Sequence, residues 1–326
     1  MKKIGFATSI PIEIIIASGN IPVDLNNSFI NYYAPRELIH EAELEGFPRN
    51  FCSWIKGIFA VARKMGLKDI ITVSEGECSN SEKLAEVLRY YGIMSIPFSY
   101  PHSMDEGELK HQIESLMYYF DVSWEDVNNT SEELSLIRNK LNKIDELSYK
   151  KNIISGFENY YWQISSSDFN SNYKTFNDKL DIFLKEIETR DENIYGSLIR
   201  IGLIGIPPII GNLFETVEKL GGNVIFNEMP RQFSMVNHRN GLIKQYIGFT
   251  YPYSIENRLN DIKEEINKRK IDGIIHYIQS FCPRQVDDMI FRKELKIPYI
   301  TIESDKPGMI DERNLMRLEA FFERWN

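Results

Sequence analysis

Asp69-Ile-Ile-Thr-Val-Ser-Glu-Gly-Glu-Cys-Ser-Asn-Ser-Glu-Lys-Leu-Ala-Glu-Val-Leu-Arg-Tyr-Tyr-Gly-Ile-Met-Ser-Ile-Pro-Phe-Ser99 is the stretch that decides the fold. Its first six residues are a compact apolar run of strand length. A polar turn follows. Ser81–Tyr91 then shows helical spacing and stops at Gly92, and Met94–Ser99 is a second apolar run. Strand, helix and strand with no tight hairpin between them imply two parallel neighbours joined by a crossover. Runs this apolar suit strands covered on both faces.

The same alternation extends outward. Lys3–Ala7 and Ile21–Leu25 read as strands, with a helix from Pro11 to Ser18 between them. Pro35–Glu45, Trp54–Met65 and Glu106–Phe120 have helical spacing. Between Pro101 and Leu198 the chain reads as helical. Thr130-Ser-Glu-Glu133 has capping-box form ahead of a long helix to about Lys150, and Phe176–Arg190 is a second helix. Tyr160–Ser165 is ambiguous. From Ile199 the alternation resumes, with strands at Ile199–Ile204, Asn223–Asn227, Asp272–Ile278 and Tyr299–Glu303. The expected fold is therefore α/β: two doubly wound parallel-sheet domains joined by a helical connector. The expected boundaries are 1–125, 126–196 and 197–326.

With 326 residues, 43% of them hydrophobic, the chain can build two cores. A net charge of -9 argues against a general nucleic-acid binder. No apolar run reaches membrane-spanning length, so no membrane partner is expected. The N-terminus reads as strand, turn and helix, not as a signal peptide, because Pro11, Glu13, Pro22 and Asp24 interrupt the apolar stretch. An odd number of cysteines in a chain this long fits no disulfide framework and suits a reducing, cytoplasmic setting.

Those cysteines are Cys52, Cys78 and Cys282. In doubly wound sheets ligands collect beyond the carboxyl ends of the strands. Cys78 and Cys282 each lie four residues past a strand, and Cys52 lies just before a helix, where unbonded N–H groups favour a thiolate. No Cys-x-x-Cys spacing exists, so a local zinc knuckle or ferredoxin motif is absent. By spacing alone the three read as buried small hydrophobes, and strand-end placement moves that reading only modestly towards ligands.

The surroundings of the cysteines resemble a known family. Phe47-Pro-Arg-Asn-Phe-Cys-Ser-Trp-Ile-Lys-Gly57, Glu75-Gly-Glu-Cys-Ser79 and Asp272-Gly-Ile-Ile-His-Tyr-Ile-Gln-Ser-Phe-Cys282 resemble the three cluster-binding segments of the 2-hydroxyacyl-CoA dehydratase family, which includes benzoyl-CoA reductase subunits. Ile10-Pro-Ile-Glu through Val23, Arg200 to Pro207, and Ile302-Glu-Ser-Asp305 through Phe322 resemble further family segments in order. The resemblance implies a lyase or reductase. In it Cys52, Cys78 and Cys282 would each ligate one iron of a 4Fe-4S cluster whose fourth iron stays open. A separate ATP-hydrolysing iron–sulfur activator would inject one low-potential electron, and a thioester carbonyl would become a ketyl radical that expels its leaving group. It implies an acyl-CoA-type small molecule as substrate, and a homodimer or a homologous subunit as partner. This chain has no Gly-x-x-x-x-Gly-Lys-Ser/Thr loop, consistent with ATP being used by the activator. It looks like the single-chain branch, and Ser79 stands where many members have Asp. A related branch joins two cubanes and reduces small molecules, which is the alternative reading, as is electron transfer without an acyl-CoA substrate.

Around the cysteines, Glu75 reads as an acid or proton donor beside the cluster, Glu77 less so. Arg49 and Lys56 can offset cluster charge or lie on the surface. Ser53 and Ser79 read as helix caps. His276, inside a strand, reads as a satisfied buried histidine. Ser165-Ser-Ser-Asp-Phe-Asn170 reads as a capping turn, with a substrate-contacting loop as its alternative.

Overall fold

The chain is described here from a computed structural model covering residues 1–236 and 241–325. Among the described residues, eight strands form two sheets. Four belong to the first sheet: β1 Lys3–Phe6, β2 Ile21–Asp24, β3 Asp69–Val73 and β4 Met94–Phe98. They pair in the order β2-β1-β3-β4, every pair parallel. The second sheet holds β5 Ile199–Gly205, β6 Gly222–Asn227, β7 Gly273–Gln279 and β8 Tyr299–Ser304. Its order is β6-β5-β7-β8, again all parallel. The α/β class with two parallel sheets read from the sequence is what the chain adopts.

The two sheets repeat one topology. In each, the second strand lies on one side of the first and the third strand on the other. The crossovers therefore diverge between first and third strands, and that divergence opens a crevice at the carboxyl ends. A cysteine follows the third strand in both.

Two compact units result. One comprises Met1–Asn139, Ser165–Asn177 and Met235–Ser254; the other comprises Lys140–Ile164, Asp178–Ser234 and Ile255–Asn326. The helical stretch 126–196 contributes to both.

The core of the second unit shows why its helices form. Ile204, Ile225, Phe226 and Ile274 from β5, β6 and β7 pack with Leu259 and Ile262 of the helix Ile255–Arg269 and with Phe291 of the helix Asp288–Glu294. Leu259 and Ile262 are three apart, the spacing that keeps both on the buried helix face. Each such side chain contributes about 1.5–3 kcal/mol on burial.

Helix starts differ from the sequence reading in two places. The long helix spans Trp124–Lys150, so Thr130 lies inside it, with its hydroxyl donating to Asp126 O at 3.0 Å. Ser123 and Asp126 are the residues that cap it reciprocally: Asp126 Oδ2 accepts from Ser123 N at 2.9 Å, and Asp126 N donates to Ser123 Oγ at 3.2 Å. Tyr160–Ser165 is not a strand. Ser155 and Glu158 form a capping box (2.9 and 3.2 Å) that opens the helix Gly156–Ile164.

Candidate functional site

The divergence point of the first sheet lies between the ends of β1 and β3. Thr8, two residues past β1, donates its hydroxyl to Glu77 Oε2. Glu77 Oε1 accepts from the Cys78 backbone N–H at 2.8 Å and from the Tyr251 hydroxyl at 3.0 Å. One carboxylate thus pins the Cys78 turn to two other segments of its unit. Gly76 makes the turn possible: its φ is +93°, and a Cβ there would come within 2.8 Å of Pro252 Cβ and Tyr100 Cβ. Glu75 points elsewhere. Its carboxylate is about 42% exposed and accepts from the His102 N–H at 2.8 Å.

Cys52 and Cys78 occupy the N-cap positions of the helices Ser53–Lys64 and Ser79–Tyr90. Ser53 and Ser79, read from sequence as the caps, are the first helical residues instead. Cys52 is buried and Cys78 half-buried. Burial and the adjacent Glu77 carboxylate push the Cys78 thiol up, while the Asn80 and Ser81 N–H groups pull it the other way. The net rise keeps this thiol protonated at neutral pH unless a metal displaces the proton. Lys56 is wholly buried, donating to Glu43 at 2.8 Å and to the Arg49 carbonyl at 3.1 Å; Arg49 itself is exposed.

A second buried group of this unit lies at the end of β2. Asp24 and Asp168 are 5% and 4% exposed. Asp168 caps the turn Phe169–Ser171, as read from the sequence, accepting from Asn170 N at 2.9 Å. It also accepts from Asp24 N at 2.8 Å, and Asp24 accepts from the Ser167 hydroxyl at 2.6 Å. Burial, and then the Asp24 charge, push the Asp168 carboxyl up to about 7. Glu13 is buried too, but bonds from Arg138 (2.7 Å), Gln245 (2.8 Å) and Tyr246 (2.9 Å) offset burial and hold it below the usual range.

In the second unit the divergence point is a narrow crevice, with room for little more than a water-sized group. Gly205, Arg258, His276, Gln279, Cys282 and Arg284 line it. Cys282 caps the short turn Pro283–Asp287 and is half-buried. Phe281 before it has φ +63°, a conformation costly for an aromatic residue. Below the crevice, the buried carboxylate of Glu228 accepts from Gly205 N (2.7 Å) and from Arg258 Nε (2.7 Å). Arg258 also reaches Asp287 at 2.6 Å.

His276 on β7 is buried, as read from its sequence, and is part of a network. Its Nδ1 lies 2.8 Å from Asp288 Oδ1 and 2.7 Å from the Tyr299 hydroxyl. The same Asp288 oxygen accepts from Tyr299 at 2.9 Å and Thr301 at 2.5 Å, and Oδ2 accepts from Arg292 at 3.0 Å. Burial alone would raise the Asp288 carboxyl, but these bonds, led by His276, hold it well below the carboxylate range. Sequence reasoning passed over Asp24, Asp288 and Glu228, since nothing local marks which carboxylates a fold will bury.

Among the described residues, no group of three or more His, Cys, Asp or Glu side chains is gathered to hold a metal ion, and no helix is long and apolar enough to cross a membrane. The donor chemistry still suits an iron–sulfur group: none of the three thiols is in a disulfide, and all three stand at N-cap positions.

Two parallel α/β sheets of one topology, each with a cysteine beyond the carboxyl end of its third strand, define a two-unit α/β protein. The chain belongs to the family described as 2-hydroxyglutaryl-CoA dehydratase, D-component, whose sequence model matches residues 7–324. It is thus a component of the 2-hydroxyacyl-CoA dehydratase type. No curated protein matches it in sequence.

Proposed function

We propose that the chain is an iron–sulfur subunit acting on an acyl thioester, with Cys52, Cys78 and Cys282 as the thiolate ligands of one 4Fe-4S cluster. When bound, such a cluster would supply single electrons at low potential, delivered by an ATP-hydrolysing activator, to a 2-hydroxyacyl-CoA or a related ester. The observation that carries the reading is the repeated placement of a cysteine beyond the third strand in both sheets, in a chain whose family match is nearly complete.

The protein's own residues have separate tasks in this reading. Glu77 holds the Cys78 turn in place through three hydrogen bonds. The N–H groups of Asn80 and Ser81 favour the deprotonated sulfur once a metal has displaced its proton. Glu75, half-exposed beside His102, is proposed as a proton donor reached from solvent. A second copy or a homologous subunit, in the cytoplasm, completes the proposal.

The test is anaerobic reconstitution of the full chain with iron and sulfide. About four irons and four sulfides per chain are expected, as three thiolates plus one open position require. The Cys282→Ala variant is expected to lose most of both. A wild-type chain that stays iron-free and colourless would overturn the proposal.

A further inference from the structure

The crevice of the second unit contains a group that the cluster reading does not use. His276 sits on the central strand β7, and its Nδ1 is committed. Asp288 Oδ1, an acceptor only, lies 2.8 Å away and also receives the Tyr299 and Thr301 hydroxyls. A bare Nδ1 lone pair would face that oxygen and be repelled, so Nδ1 carries a proton, and in the singly protonated ring the lone pair lies at Nε2. A histidine whose first nitrogen donates to a carboxylate has its second nitrogen fixed in direction.

The Cδ2–Nε2 edge of the ring lies against Gly205. A Cβ built on Gly205 would lie 3.1 Å from Nε2 and 2.8 Å from Cδ2. No side chain can take that place, because the same Cβ would come within 2.2 Å of the Tyr277 carbonyl and φ is +94°. The missing side chain leaves the imidazole edge facing the crevice lined by Gly205, His276 and Cys282. The space admits one water-sized group. An acceptor nitrogen facing such a space is complementary to a single hydroxyl.

We propose that His276 Nε2 accepts a hydrogen bond from the hydroxyl of the substrate at the carboxyl edge of this sheet, and that Asp288 is its positioning residue. The inference rests on the acyl-thioester reading above and names, within it, the group that distinguishes a hydroxyacyl ester from its unhydroxylated counterpart. A site built to bond a hydroxyl loses affinity when the ligand lacks it, since the acceptor is left unpaired.

The experiment uses the full chain, reconstituted anaerobically, with a matched pair of probes: 2-hydroxybutyryl-CoA and butyryl-CoA. The hydroxy ester is expected to bind wild type about tenfold more tightly, the value of roughly one hydrogen bond. In His276→Gln the two esters are expected to bind alike. Asp288→Asn is expected to narrow the difference with His276 still present. Imidazole 15N resonances of the iron-free chain give a readout independent of activity and of the variants' folding. Nδ1 is expected to be protonated, and the Nε2 signal to move with the hydroxy ester only. Equal affinities of the two esters for wild type, or a proton on Nε2 in the unliganded protein, would overturn this inference and leave the thioester reading standing. Binding of neither ester would overturn the thioester reading and this inference with it.

Discussion

Replacing Arg258 with methionine is expected to destabilise the second unit by about 3–5 kcal/mol, the cost of leaving one member of a buried ion pair alone. Arg258 and Glu228 are 2% and 1% exposed, and the guanidinium donates to both Glu228 oxygens, at 2.7 and 3.1 Å. Methionine fills much of the same volume, so the loss is electrostatic. The Glu228 carboxylate would keep only the Gly205 N–H among the bonds described above. A lost cation–π contact with Phe291, 5.2 Å away, adds to the cost. The double variant Arg258→Met with Glu228→Gln is expected to regain most of the loss, because a neutral amide can still accept from Gly205 and leaves no buried charge. Urea denaturation of wild type and the two variants checks this. A single variant within about 0.5 kcal/mol of wild type would show that water already reaches the pair. The pair also orders the crevice: Glu228 fixes the Gly205 backbone, and Gly205 leaves the edge of His276 uncovered.

Most strands were legible because burial on both faces leaves an unbroken apolar run. Asp-Ile-Ile-Thr-Val and Gly-Ile-Ile-His-Tyr-Ile-Gln became central strands β3 and β7, with limits shifted by a residue or two. Short helices were not legible. Glu228–Phe233 holds Pro230, and Leu242–Ile247 is too brief for a period to show. Capping was legible in kind and misplaced in position: Thr130-Ser-Glu-Glu133 and Ser123-Trp-Glu-Asp126 both have the required form, and the left-handed Asp121 (φ 53°) that ends the preceding helix favours the earlier one. Cysteine placement at the sheet edges could be read because it depends only on counting from strand ends. Which carboxylates would be buried could not, since Glu13, Asp24, Asp168 and Asp288 meet partners far along the chain, or on another element, that no local pattern encodes.

The stability of the chain is expected to fall by about 3 kcal/mol between pH 5 and pH 8 through Asp168 alone, an order-of-magnitude figure from its shifted pKa. The sign follows from the direction of the shift. The folded protein raises this carboxyl from an ordinary 3.8 to about 7, because burial and the neighbouring Asp24 disfavour its charge. Folding therefore favours the protonated form. The contribution is complete below the ordinary pKa, declines as pH rises, and is gone above about 7. Glu13 and Asp145 act in the opposite sense, but their carboxyls are lowered, so their contributions change only below the ordinary carboxylate range and are flat from pH 5 upward. Three successive non-glycine residues beside Asp168, Phe169, Asn170 and Ser171, have φ of +51°, +52° and +61°. Such backbone persists only where its surroundings hold it, and Asp168 supplies a hydrogen bond to Asn170 N and one to Asp24 N. Ionisation of Asp168 strengthens those two bonds but places a buried second negative charge beside Asp24, and the upward direction of the shift has this cost outweighing them, so the turn is expected to loosen first. The measurement is urea denaturation of wild type and Asp168→Asn at pH 5, 6, 7 and 8. The difference between the two proteins isolates the Asp168–Asp24 site, because the Asp24 carboxyl, itself raised by burial, loses a neighbouring charge in the variant while the titrations away from this site are common to both. Asparagine cannot ionise, so the fall should shrink by about 3 kcal/mol in the variant, whatever its absolute stability. Parallel pH dependences in the two proteins would show that Asp168 stays ionised throughout, and that the Ser167, Asn170 and Asp24 contacts outweigh burial.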